Sequence, residues 1–568
     1  MIKVKTTSIR LVLLASLALV LTGCSTGGLN LVPGEGSGHA EPGLFVQTEE
    51  IVIAMLLLAA VVSIVTQQLR IPYTVGLVLV GFGLAFLGQI PFLTVTPEVI
   101  LALLVPPLVF EAAFHMNFND LRRELKLILL LAIPGVILTT FLVGGLVSLV
   151  SGFSLPVAMV FGALIAATDP VAVVALFRSI GAPKRLQVLL EGESLLNDGT
   201  AIVVFNLMVG IALTGNFNLG TSVLQFLIVA GGGIVVGVLG GILISQLIGR
   251  IDNYLIETTL TTVLAYGSYL IAEYILGVSG VLAVVAAGLA SGHIGPRGMS
   301  PTTRIVVFNF WEYAAFVANS FVFLIIGLEI DLNLLLQNAG AIAWGILAVL
   351  LARAVTVYGF ASLASRVPAR WKNVMFWGGL RGAISLALAL SLDPAMPNRT
   401  EIQAMTFGVV FFTLVVEGLT MKPLIQHSKL VEVSAAEQAY DREHAQAVSL
   451  LAAYTRLRNL NREGLISDFS WRQLKVALEE RIQAKTSEVQ RILEAEPHLH
   501  QQEMMDAWRE GLRVQRATIT SMFRDNIISE EVYEELVSAV DFELIEAMPS
   551  WETGVPSTDE EVAFDFDE

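Results

Sequence analysis

Residues 191–205 read EGESLLNDGTAIVVF, so Glu191, Glu193 and Asp198 fall within one otherwise apolar segment. A carboxylate at the centre of a bilayer costs about 2.5–3.5 kcal/mol on insertion scales, so such groups need partners, water or a task. On a helix, Glu193 and Asn197, and Ser194 and Asp198, are i,i+4 pairs on one side, which must face inward. A carboxylate in that setting can hold a proton or a cation, but not both at once. A second unusual stretch is Ala167-Thr168-Asp169-Pro170. Pro170 removes a backbone donor and disfavours helical geometry at Asp169. A broken helix at membrane depth is tolerated when buried in protein or lining a watery cavity. It frees carbonyl oxygens, the ligands a hard cation such as Na+ takes; the alternative is a proline kink with Asp169 capping the second half. The third stretch is Gly378-Gly379-Leu380-Arg381-Gly382-Ala383, whose glycines permit unwinding and close helix approach. Arg381 there, and Arg353 in another apolar segment, are the obvious countercharges for Glu193 and Asp198.

These groups need a scaffold, and the composition says which kind. The chain has 568 residues, 55% hydrophobic and 15% charged. Its mean hydropathy is +0.72. Soluble domains average about 45–50% apolar and about 25% charged, so this is a polytopic membrane protein. The net charge of −16 sits almost wholly beyond residue 430, where about 13 Lys/Arg meet about 29 Asp/Glu. That acidity argues against nucleic acid or anionic lipid as a partner of the tail.

Apolar windows fall at 50–69, 73–89, 98–115, 127–150, 156–177, 187–213, 222–248, 254–276, 279–293, 305–328, 338–362, 372–392 and 402–425, about 13 spans. The connectors after odd-numbered spans are basic: Arg70; Arg122, Arg123 and Lys126; Arg178, Lys184 and Arg185; Arg250; Arg297 and Arg304; Arg366, Arg370 and Lys372; Lys422 and Lys429. Alternate loops lack Lys and Arg, with Arg399 the exception. The positive-inside rule then predicts an external N-terminus and a cytoplasmic tail. At the start, Lys3, Lys5 and Arg10 precede the apolar run Leu11–Leu21 and then Gly23-Cys24. Residues 1–24 read as a secretory signal of lipoprotein type, with Cys24 lipidated and external; an uncleaved anchor helix is the alternative. Residues 25–48 read as an external linker, 49–428 as the membrane domain and 429–568 as an acidic cytoplasmic tail. Within that tail, 434–460, 470–494 and 500–524 have helical periodicity, Pro497 breaks the pattern, and TDEEVAFDFDE reads as disordered. A solvated helical domain and a regulatory or dimer-associated one both fit it.

Three of these stretches together, TDPVAVV, EGESLLNDGTAIVVF and GGLRGAISLALAL, resemble the signature segments of NhaP/NHE-type sodium–proton antiporters, over about residues 50–425. FVFLIIGLEI (321–330) and LVPPLVFEAAF (104–114) resemble lesser landmarks. The resemblance implies an all-α membrane fold with inverted repeats, two crossing unwound helices and a homodimer. It also implies a cation- and proton-binding site at Asp198, with Asp169, Thr168 and Ser194 as further Na+ ligands and Glu111 as an additional one. Glu193 and Asn197 are implied to be structural and tied to an arginine, Arg353 in preference to Arg381, which is expected near the helix crossing.

The expected activity is exchange of Na+ or Li+ for H+ across the cytoplasmic membrane, with no cofactor and no enzymatic step. Relatives with adjacent aspartates are associated with electrogenic transport. Here the neighbour is Asn197, an amide that cannot carry a proton near neutral pH, so 1:1 electroneutral exchange is expected. A K+/H+ antiporter fits the same residues. An ion channel would favour rings of charge, and a transporter-derived sensor is disfavoured by the intact motifs. None of the seven histidines has metallohydrolase spacing near Asp198.

Overall fold

The structure is a computed structural model that describes residues 44–69, 71–87, 97–251, 253–364, 367–428, 430, 435–525 and 527–545. Cys24, the signal-like segment, most of the expected linker and the acidic end from 546 lie outside the described residues.

Every described element is a helix. The first unit contains α1 (Leu44–Leu69), α2 (Tyr73–Leu87), α3 (Pro97–His115), α4 (Phe118–Ala132), α5 (Pro134–Ser151), α6 (Leu155–Leu164) and α7 (Val171–Ile180). It continues with α8 (Lys184–Thr214), α9 (Leu219–Ile248), α10 (Tyr254–Ile275), α11 (Gly280–Ile294), α12 (Pro301–Leu328) and α13 (Leu332–Gln337). It ends with α14 (Ala339–Ala364), α15 (Ala369–Trp377), α16 (Ala383–Leu390) and α17 (Arg399–His427). Among the described residues, nine helical stretches are long and apolar enough to cross a membrane, and α2, α6 and α11 are shorter apolar helices. The protein is an all-helical, multi-span membrane protein.

Two stretches differ from the sequence reading. Helix α1 starts at Leu44, inside the stretch read as linker, so the polar turn Gln47–Glu50 is helical and leads into the apolar run. The window expected at 127–150 is preceded by an extra amphipathic helix. Asn117 caps α4 by accepting from the N–H groups of Asn119 and Asp120, and Pro134, which cannot continue a helix, starts α5. The charged turn Arg122–Lys126 had masked this helix from a search for apolar runs.

Small residues let helices approach where lipid supplies no hydrophobic drive. On α9, Gly241 faces α11 so closely that a Cβ there would lie 2.8 Å from the Ala290 methyl. Two chain segments break instead of packing as straight rods. Helix α6 stops at Leu164 and the chain resumes as α7 at Val171; α15 stops at Trp377 and resumes as α16 at Ala383.

The second unit begins at Glu432. Its helices are α18 (Ala435–Arg462), α19 (Asp468–Ala495), α20 (Pro497–Arg524) and α21 (Glu530–Ile545). Pro497 stands at the first turn of α20, where its missing N–H is harmless. Helix α21 was not read from sequence, because its acidic first turn merges with the acidic end of the chain. It packs Val537 and Val540 on Leu512 and Ile519 of α20, and Arg516 reaches the buried Asp541 at 2.7 Å.

Candidate functional site

The two breaks meet. The Asp169 N–H donates to the carbonyl of Leu380 at 2.8 Å, joining the α6–α7 break to the α15–α16 break. Each break exposes backbone groups that a continuous helix would have used internally. Asp169 answers one of them, its Oδ1 accepting from the Val171 N–H at 2.9 Å, so it caps α7. Its neighbour across the crossing is Gly382. A Cβ at Gly382 would lie 2.6 Å from the Asp169 Cβ and 2.8 Å from Cγ. The Gly382 backbone, at φ −134°, suits any residue, so space is what demands glycine. Gly382→Ala is expected to abolish exchange and to cost about 1–3 kcal/mol as overpacking. Sodium-driven proton flux and thermal unfolding of the purified variant check this, and wild-type behaviour in both would contradict the crossing geometry.

Helix α8 runs past the crossing and presents its polar stripe. Glu193, Ser194 and Asn197 are buried, while Asp198 is half-buried on the wall of a cavity. The Ser194 hydroxyl donates to the Thr168 carbonyl at 2.5 Å, and Asn197 Nδ2 donates to Thr168 Oγ1 at 3.1 Å. Two residues of α8 therefore hold the unwound segment in place. The sequence reading tied Asn197 to an arginine. The structure gives its amide to Thr168 and leaves its buried Oδ1 without a partner among the described residues.

The arginines divide the work. Arg353, buried on α14, grips both carboxylate oxygens of Glu193 and donates to the Met375 carbonyl at 2.9 Å. Gly379 makes room for it, since a Cβ there would lie 2.7 Å from Arg353 Nε. Arg381 sits at the crossing, 1% exposed, with its N–H on Thr413 Oγ1 at 3.1 Å and its guanidinium reaching the Ala167 carbonyl at 3.4 Å. It makes no ion pair with Asp198 among the described residues.

The cavity has a volume of about 950 Å³ and is lined by Thr168, Asp169, Ser194, Asp198 and Ser385, with Glu111 further along its wall. It extends to Arg178 and Lys422, which belong to the basic connectors. Glu111 is paired with His115 at 3.4 Å. Glu191 takes Arg178 at 3.1 Å, and Glu312 also faces the cavity. Neither Asp169 nor Asp198 is in an ion pair among the described residues. Two carboxylates with hydroxyl and carbonyl oxygens around them form the donor set a hard cation takes.

The sequence reading missed a buried charge near the crossing. Glu417 on α17 is 2% exposed, close enough for its charge to act on both Arg381 and Arg353. It was legible only as a single acid in the apolar window 402–425. With it, the dry interior around the crossing holds two arginines and two glutamates, and the cavity carboxylates stand outside that balance.

A profile described as sodium/hydrogen exchanger, transmembrane, matches residues 53–427, about two thirds of the chain. The chain belongs to the sodium/hydrogen exchanger family. This exchanger is 44% identical over 398 residues to the Na(+)/H(+) antiporter ApNhaP of Aphanothece halophytica, covering 69% of this chain and 76% of that protein. It is 35% identical over 496 residues to the Na(+)/H(+) antiporter NhaG of Bacillus atrophaeus, covering 84% of this chain and 94% of that one. Its fold is similar to the sodium proton antiporter MjNhaP1 of Methanocaldococcus jannaschii, with a TM-score of 0.58 at 22% identity, over 68% of this chain and 99% of that one. The exchanger is thus a member of a transporter family, not an enzyme.

Proposed function

We infer that the exchanger moves Na+ against H+ across a membrane by letting the two ions compete for Asp198. The observation that carries the site is the charge balance: Glu193 is answered by Arg353, Glu417 acts on Arg381, and Asp198 and Asp169 face the cavity with no ion-pair partner among the described residues. The unmatched carboxylates are the ones a transported ion can reach. Thr168 and Ser194 supply neutral oxygens at the same wall, and Glu111 adds a carboxylate on the way in. Na+ is the reading that the relatives favour; K+ on the same oxygens is the second.

The reading extends to the frame. The order long helix, broken helix, long helix occurs twice, in 134–214 and in 339–427, which supports two inverted repeats. Among the described residues, counting α2, α11 and the two broken pairs as spans beside the nine long stretches brings the total to thirteen. With the basic connectors inside, the N-terminus is external, the tail cytoplasmic, and the cavity, which reaches Arg178 and Lys422, is open to the cytoplasm. A homodimer rests on the family resemblance alone.

Stoichiometry follows from which groups can carry a proton. Asn197 is an amide bonded to Thr168 and Glu193 is gripped by Arg353, so neither exchanges ions with the cavity. If Asp198 alone carries either one proton or one monovalent cation, both loaded states have the same charge. In proteoliposomes, a Na+ gradient is expected to dissipate an imposed ΔpH at a rate indifferent to membrane voltage. A rate that follows the voltage would mean a second proton carrier, with Asp169 the first suspect, and failure of Na+ to support any flux would remove the ion assignment.

A further inference from the structure

Glu417 is a buried acid near the crossing that takes no part in the exchange cycle. It does not line the cavity, so neither cargo ion reaches it. One of its oxygens, Oε2, is buried without a hydrogen-bond partner among the described residues, and so is Nε of Arg381. Leaving a charged group in that state is expensive unless opposite charge lies close by. The backbone brings that charge in. Thr413–Glu417 forms a π-helical turn within α17, a local widening often found at functional positions. At one end of the turn the Thr413 hydroxyl accepts the Arg381 N–H; at the other end stands Glu417. A single turn thus holds the backbone of Arg381 and carries an acid whose charge acts on its guanidinium without an ion pair between them among the described residues.

The charged groups around Glu417 come from three other elements. They are Arg381 from the α15–α16 break, Arg353 from α14 and, across Arg353, Glu193 from α8. Arg353 is already committed to Glu193 through both guanidinium arms. Arg381 is not, and three acids act on it: Glu417, Glu193 and Asp198. Arg381 therefore feels both an acid that does not line the cavity and the acid on its wall.

We propose that Glu417, by offsetting the charge of Arg381 across the crossing, sets the affinity of the transport site for the cation. The inference rests on the reading of Asp198 as the binding carboxylate. Without Glu417 the interior beside Asp198 carries one more net positive charge, which opposes an arriving cation.

The test is Na+-dependent exchange by full-length protein in proteoliposomes at fixed pH. Glu417→Gln removes the charge and keeps the shape; the KM for Na+ is expected to rise about three- to tenfold, with a smaller fall in Vmax. Glu417→Asp keeps the charge but withdraws it by one methylene, and a smaller KM rise in the same direction is expected. A merely structural role would lower thermal stability and Vmax and leave KM alone. An unchanged KM in Glu417→Gln overturns the inference; if that variant does not fold, an unchanged KM in Glu417→Asp does so. Asp198→Asn, run beside them, separates the two readings. If it still exchanges ions, the site reading fails, whereas a dead Asp198→Asn with a normal KM in the Glu417 variants removes only the role of Glu417.

Discussion

Asp198→Asn is expected to abolish Na+-driven proton movement in proteoliposomes while the protein still folds. The substitution changes one oxygen to an amide nitrogen, keeps the side-chain volume, and removes the ability to trade a proton for a cation. Asp198 is half-buried at the cavity wall and supports no helix cap or ion pair among the described residues, so little of the fold depends on it. Both halves of the cycle fail together: the amide does not release a proton to the far side, and it offers the cation a neutral oxygen in place of a charged one. Wild-type thermal unfolding with zero flux is the expected pair of results. A variant that exchanges at the normal rate would sink the assignment.

The opposite pattern is expected at Arg353. Arg353→Ala should cost about 3–5 kcal/mol, the range found when one partner of a buried ion pair is removed and the other charge is stranded. Glu193 is only 1% exposed and would be that stranded charge. The loss reaches further than the pair, because the same guanidinium also satisfies the Met375 carbonyl in the last turn of α15, just before the break. Arg353→Lys should recover part of the stability but not all of it, since an ammonium cannot present the planar fork that meets two carboxylate oxygens and a carbonyl together. Thermal unfolding of detergent-solubilised variants measures this. An Arg353→Ala protein melting with the wild type would show that Glu193 has another means of neutralisation. Removing Glu193 as well should restore part of the lost stability, since no uncompensated charge then remains.

Several features of this protein were determined by the sequence on its own. Long apolar runs with few charges can only be membrane helices, because a lipid-exposed backbone must satisfy its hydrogen bonds within the helix. Pro170 and the glycines of 378–382 mark the two interruptions, since proline lacks a donor and glycine resists helix formation wherever they stand. The polar stripe Glu193, Ser194, Asn197, Asp198 follows from helical period alone. Other features waited for the tertiary structure. Nothing local says that Glu193 belongs to Arg353, 160 positions away, or that Arg381 reaches the carbonyl of Ala167, 214 positions away. Asn197 could have served an arginine and instead serves Thr168. Glu417 is a single acid in an apolar window, and only packing brings it close enough to act on Arg381. The division has a physical cause: period, proline and glycine act through bonds within a few residues, whereas a buried charge finds its partner only where separate helices pack.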